Sequence, residues 1–264
     1  MVDTSFLKNA NRIVVKVGTS TLTYKTGMIN LRTIERLVNV ISDIKNSGKE
    51  IILVSSGAVS AGFAKLGETN IDKSLEQKQA AAAVGQCELM NMYGKLFGEY
   101  GHTVAQILIT KDVIDIEKRR NNAKNTFRIL LEDGCIPIAN ENDSISFEGI
   151  KFGGNDILSA YVAILSEADL LINMSDIDGF YNKNPRKHSD AELIRYVDKL
   201  DDTVYSYADS EGSERGTGGM IAKLEAVSIV AQSKIPMVIV NGSNPEILYD
   251  VCENNFIGTL FDIK

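Results

Sequence analysis

Apolar residues along the chain fall into two alternating arrangements. In one they run together: Ile13-Val14-Val15-Lys16-Val17, Ile51-Ile52-Leu53-Val54, the stretches 104–109, 136–139, 169–174 and 236–240, and Gly258-Thr259-Leu260-Phe261. Short, largely β-branched runs of this kind predict strands buried on both faces. In the other arrangement they recur every three or four places. Leu31, Ile34, Leu37, Val38, Ile41 and Ile44 mark an amphipathic helix that Gly48 ends. Similar spacing predicts helices over about 74–100, 121–132 and 157–165, a short one over 199–208, one opening near Met220 and another over 244–251. Residues 194–197 predict a brief strand, and 144–152, alternating around Gly149, a short hairpin. Strand and helix alternate throughout, so the class is α/β with parallel strands joined by right-handed crossovers. In such sheets ligands gather at the carboxyl ends of the strands. No repeat or linker breaks the pattern, and the 264 residues are expected to form one domain.

The polar residues at those strand exits are the candidate chemistry. Lys16 interrupts the first run, where a lysine either snorkels from an edge strand or meets an anion, because burying an unpaired ammonium is costly. Ser55-Ser56-Gly57-Ala58 follows the second run, with serine either capping a helix or contacting a ligand. Asn140-Glu141-Asn142-Asp143 and Gly154-Asn155-Asp156 bracket the hairpin, and Asp143 and Asp156 are open to reading as turn and N-cap residues. Ser175-Asp176 ends the fifth run. The stretch Gly216-Thr217-Gly218-Gly219-Met220-Ile221-Ala222-Lys223 places glycines just before a helix, so its N–H groups and the helix dipole can face a phosphate. A surface loop capping an ordinary helix is the alternative. Neither the P-loop pattern nor the dinucleotide fingerprint is present.

Charge narrows the partners. Lys+Arg 28 against Asp+Glu 35 gives −7, with no dense basic stripe, which disfavours nucleic acid and anionic membrane. Cys87, Cys135 and Cys252 are far apart and lack metal-ligand spacing, so they read as reduced, packed cysteines. No apolar run approaches the ~20 residues of a bilayer span, nor does the N-terminus read as a signal peptide, so a cytoplasmic protein is expected.

Val14-Val15-Lys16-Val17-Gly18-Thr19-Ser20, Ser55-Ser56-Gly57-Ala58, Asn140-Glu141-Asn142-Asp143, Gly154-Asn155-Asp156, Ser175-Asp176-Ile177-Asp178-Gly179 and Gly216-Thr217-Gly218-Gly219-Met220, in this order across nearly the whole chain, resemble the amino-acid kinase family. They are most similar to its branch acting on the γ-carboxylate of glutamate, the first step of proline synthesis. The resemblance implies a three-layer α/β/α sandwich with a mostly parallel central sheet. It implies an N-terminal part, about 1–168, for the amino acid and a C-terminal part, about 169–264, for ATP.

By that resemblance Lys16 and Lys223 hold the transferring phosphoryl group and Asp156 orients both. Ser56, Asp143 and Asn155 anchor glutamate, and Ser175, Asp176 and the segment Thr217, Gly218, Gly219, Met220, Ile221, Ala222 and Lys223 bind ATP. Magnesium rides on the nucleotide phosphates, with no protein ligand assigned. Proline is implied as a feedback inhibitor, the assembly as a homo-oligomer (dimer or tetramer), and glutamyl-phosphate reductase as a partner for channelling. Gly154 stands where the family often has an acid, Ser175 replaces a threonine, and a chain ending at Lys264 leaves no room for the C-terminal domain of many bacterial members. Rival readings are a sibling kinase of another carboxylate, such as acetylglutamate, and a non-catalytic amino-acid sensor. The retained lysines and Asp156 weigh against the sensor.

Overall fold

The computed structural model describes residues 4–24, 26–68, 74–145, 154–209 and 219–263. Its strands are β1 (Arg12–Val17), β2 (Glu50–Ser55), β3 (Val104–Ile109), β4 (Ile136–Glu141), β5 (Leu170–Ser175), β6 (Tyr196–Val197), β7 (Met237–Asn241) and β8 (Gly258–Phe261). They form one sheet in the order β3-β4-β2-β1-β5-β7-β8-β6, parallel except for the antiparallel β7–β8 pair. Helices α1 (Phe6–Asn9), α2 (Thr19–Leu22), α3 (Leu31–Asn46), α4 (Ala58–Lys65), α5 (Leu75–Glu99) and α6 (Lys111–Asp115) precede α7 (Glu117–Glu132), α8 (Asn155–Leu165), α9 (Asp202–Asp209), α10 (Met220–Ala231) and α11 (Ile247–Cys252).

The continuous apolar runs arise because helices cover both faces of the sheet. Successive residues of β1 alternate between two cores: Ile13, Val15 and Val17 pack with α3, α5 and α11, while Val14 packs with α7, α8 and α10. This is the expected three-layer sandwich. The chain runs from β1 out to β2 on one side and returns to β5 on the other, so β1 and β5 flank a topological switch point, where such sheets bind ligands.

Helix α3 carries the predicted stripe, and the Asn30 side chain caps it by accepting from the Thr33 N–H. Ser74 and Gln77 form a capping box that starts α5. Helix α4 was not predicted. Its inward stripe consists of Ala58, Ala61 and Gly62, too small to register as a hydrophobic pattern. These small residues let α4 and α5 touch backbone to backbone: a Cβ on Gly85 would stand 1.8 Å from the Ala58 carbonyl oxygen, and one on Gly62 1.8 Å from that of Ala81. The contact seats α5 directly beneath the loop that leaves β2. Elsewhere α7 begins at Glu117 rather than 121, α11 at Ile247 rather than 244, and β4 continues through Asn140 and Glu141. The predicted hairpin falls mostly outside the described residues. Cys87 is exposed on α5, contrary to the expectation of packing, because it lies off that helix's buried stripe. Cys135 and Cys252 are partly buried.

Candidate active site

Lys16 lies in a central strand, paired with Val54 of β2 on one side and Asn173 of β5 on the other, so the snorkelling alternative fails. Only 7% of the residue is exposed, and its Nζ lies 2.6 Å from Oδ1 of Asp156. Asp156 stands in the first turn of α8, itself 4% exposed, and its Oδ2 receives Nζ of Lys223 from the first turn of α10 at 3.1 Å. Three elements thus bring the predicted triad together, with one carboxylate between two ammonium groups. Asp156 is not the N-cap of α8; Gly154 holds that position with φ 74°, a left-handed backbone that favours glycine.

The electrostatics follow from burial and pairing. Burial pushes the Asp156 carboxyl up, but Lys16 and Lys223 outweigh it and hold the group at about 2. Burial pulls the Lys16 ammonium below the ordinary lysine value, against the attraction of Asp156. One carboxylate thus faces two lysines in a cleft that is largely closed to water, a setting in which an arriving anion is favoured. The sequence did not single out Asn173. Its side chain, fully buried on β5, donates from Nδ2 to Oδ1 of Asp156 at 2.6 Å and fixes the carboxylate rotamer without adding charge.

A second polar group adjoins the first. The residue before Asp156, Asn155, donates from Nδ2 to Ser56 Oγ and to Asn140 Oδ1, both at 2.9 Å, and to the Ser55 carbonyl at 3.2 Å. Ser56 caps no helix: Gly57, with φ 99°, precedes α4. Asp143 sits in a turn just past β4, so its reading as a turn residue holds. It also lines a cavity of about 260 Å³ together with Gln86, Cys87, Gln106 and Glu141. Burial, with the nearby Glu141 charge adding to it, pushes the Asp143 carboxyl up to about 6.

The segments expected to bind nucleotide lie at the end of β5 and at the start of α10. Ser175 is buried as the last residue of β5. Exposed Asp176 pairs with Arg186 at 2.6 Å; burial raises its carboxyl, but Arg186 outweighs this and lowers it. Gly219 caps α10, Met220 and Ala222 face the core, and Ile221 points outward. Gly216, Thr217 and Gly218 lie outside the described residues. Among the described residues no group of three or more His, Cys, Asp or Glu is arranged to hold a metal ion, and no helix is long and apolar enough to cross a membrane.

Comparison with known proteins identifies the family. The model of the Amino acid kinase family matches residues 11–241. "Glutamate 5-kinase" of Clostridium perfringens is 52% identical over 262 residues, spanning 98% of this chain and 97% of that protein. "Glutamate 5-kinase" of Listeria monocytogenes EGD-e is 50% identical, spanning 98% and 95%. Among solved structures, an isopentenyl phosphate kinase superposes with a TM-score of 0.65 at 20% identity, covering 95% of this chain and 99% of its own. The UMP kinase from Ureaplasma parvum superposes at 0.67 and 13% identity, covering 96% and 99%. At those identities the structures speak for the fold alone, whereas the sequence relatives are close over nearly full length. The chain belongs to the amino acid kinase family and, within it, to the glutamate 5-kinases.

Proposed function

We infer that this chain transfers the γ-phosphoryl group of ATP to the γ-carboxylate of L-glutamate, giving L-glutamyl 5-phosphate and ADP in the first step of proline biosynthesis. The observation that carries the reading is the buried Asp156 with a lysine on each oxygen, in a chain about half identical to glutamate 5-kinases. A γ-carboxylate oxygen bonds to the γ-phosphorus, the bond to the β–γ bridging oxygen breaks, and ADP leaves with that electron pair. The acceptor is already ionised near neutral pH, so no proton need be removed and no general base is required. What remains is to bring two anions together and stabilise charge on the equatorial oxygens. In this reading the ammonium groups of Lys16 and Lys223 hold the phosphoryl oxygens.

Ser56, Asn155 and Asp143, all in the 1–168 part, take the amino acid, and Ser175, Asp176 and the 217–223 segment take ATP. The two carboxylates nearest the lysines are already engaged, Asp156 by Lys16 and Lys223 and Asp176 by Arg186, which accords with magnesium carried on the nucleotide phosphates rather than by side chains. Magnesium so bound neutralises charge on the β- and γ-oxygens. ADP release measured with L-glutamate, N-acetylglutamate and aspartate tests the reading. Turnover should be highest with glutamate, and preference for another acid, or binding without turnover, would overturn it.

Asp143 makes this reading pH-sensitive. An ionised carboxylate attracts the substrate ammonium, whereas its carboxyl, raised to about 6, is neutral at lower pH. kcat/KM for glutamate should therefore rise with pH, level off above about 6, and fall about tenfold per unit well below it. Asp143→Asn should flatten that limb, raise the glutamate KM strongly and leave the ATP KM little changed. Proline shares the α-carboxylate and amine, so the same variant should weaken proline inhibition, which glutamate should relieve in the unaltered chain. A pH limb that survives in Asp143→Asn would remove Asp143 from the ammonium site. The reading extends to a cytoplasmic homo-oligomer, a dimer or tetramer, that hands its labile acyl phosphate to glutamyl-phosphate reductase. A monomer in light scattering, or complete interception of product by hydroxylamine with the reductase present, would argue against that extension.

A further inference from the structure

One polar side chain outside the assigned site joins the cavity beside Asp143 to the substrate anchors. Asn140 is 2% exposed, and every hydrogen-bonding atom of its side chain is engaged. Its Oδ1 accepts from the Glu141 N–H and from Asn155 Nδ2, both at 2.9 Å, and its Nδ2 donates to Oε1 of Gln86 at 2.9 Å. The backbone N–H fixes which end of the amide is oxygen. Gln86 receives the other end, and it is placed to do so because the adjacent Gly85 lets α5 meet the backbone of α4.

We propose that Gln86 is a positioning residue for amino-acid recognition, acting through Asn140 on Asn155 and Ser56; this rests on the reading of those two residues as glutamate anchors. Asn155 gives its Nδ2 protons to Asn140, Ser56 and Ser55, so its Oδ1 remains an acceptor directed elsewhere. Ser56 Oγ already accepts, so its own proton is free to be donated. One acceptor and one donor thereby stand side by side, complementary to the ammonium and carboxylate carried on a single α-carbon. Remove the Gln86 acceptor and Nδ2 of Asn140 becomes a buried, unsatisfied donor. Asn140 then relaxes toward the cavity, withdraws Oδ1 from Asn155, and lets that amide turn its acceptor away from the substrate. The phosphoryl-holding triad, bound through Asn173 and two lysines, does not depend on this chain of contacts.

The test uses the full chain with Gln86→Met, close in shape but without the amide, and Gln86→Glu, which keeps an acceptor oxygen. Gln86→Met should raise the glutamate KM at least fivefold, with kcat and the ATP KM within twofold of the unaltered chain. Gln86→Glu should bring the glutamate KM back to less than half the Gln86→Met value. A general packing defect would instead lower kcat, raise both KM values and be shared by the two variants. An unchanged glutamate KM in Gln86→Met, or an equal rise in folded Gln86→Glu, overturns the proposal; if Gln86→Met does not fold, the Gln86→Glu KM against that of the unaltered chain decides, a rise beyond twofold overturning it. The unaltered chain in the same assay separates the two ideas. If it fails to phosphorylate glutamate, the functional reading falls; if it succeeds and Gln86→Met matches it, only the role of Gln86 falls.

Discussion

Lys223→Ala is expected to lower kcat by about a hundredfold or more while the chain stays folded. The fold should survive because Lys16 remains on Asp156 at 2.6 Å, so the buried carboxylate keeps a partner. Turnover should not survive, because in this reading the Lys223 ammonium is what the developing negative charge on the phosphoryl oxygens meets, and only interactions stronger in the transition state accelerate the step. Circular dichroism and a melting curve close to those of the unaltered chain, beside the kcat loss, would establish the distinction. A fall of less than about tenfold, or ~1.4 kcal/mol of barrier, would take Lys223 out of the chemistry.

Asp156→Asn should be the more damaging change, since it removes activity and stability together. The asparagine is close in shape, but it leaves the ammonium of Lys16, 7% exposed, without its carboxylate and turns an amide donor toward Lys223 or the Nδ2 of Asn173. Removing one partner of a buried ion pair costs about 3–5 kcal/mol. For a chain of this size that corresponds to a fall in Tm on the order of 10 °C. An anion should repair part of the loss: ATP or a non-hydrolysable analogue should raise the Tm of Asp156→Asn more than that of the unaltered chain, because the phosphates supply the missing negative charge. An unchanged Tm would mean that the lysines reach solvent and that the cleft is wetter than its burial indicates.

What could be read from the sequence depended on contrast. Lys16 stood out because a charge inside a β-branched run has few outcomes, and Asp156 and Lys223 stood out because each follows glycines at the start of a helix. Their convergence on one point required the strand order, which places β1 beside β5 and lays α8 and α10 over that seam. Asn173 sits within the same kind of run as Lys16, but an uncharged amide in a strand does not announce a partner, and its contact to Asp156 depends on the register with Lys16. Gln86 was hidden for another reason. On a long helix a glutamine reads as solvated face, and only the glycine contact between α4 and α5 turns it toward Asn140. The buried positions of helix α4 are small because its packing surface is another backbone.

The central claim is that a carboxylate of glutamate attacks the γ-phosphorus of ATP. L-Glutamate carrying ¹⁸O in its γ-carboxylate, incubated with the enzyme, ATP, magnesium and hydroxylamine, tests this directly, because hydroxylamine attacks the acyl carbon and releases the former carboxylate oxygen on phosphate. The expected result is γ-glutamyl hydroxamate and ADP in equal amounts, with one ¹⁸O atom in each phosphate released. ADP formed with unlabelled phosphate and no hydroxamate would show that water, not glutamate, accepts the phosphoryl group, and would contradict the account.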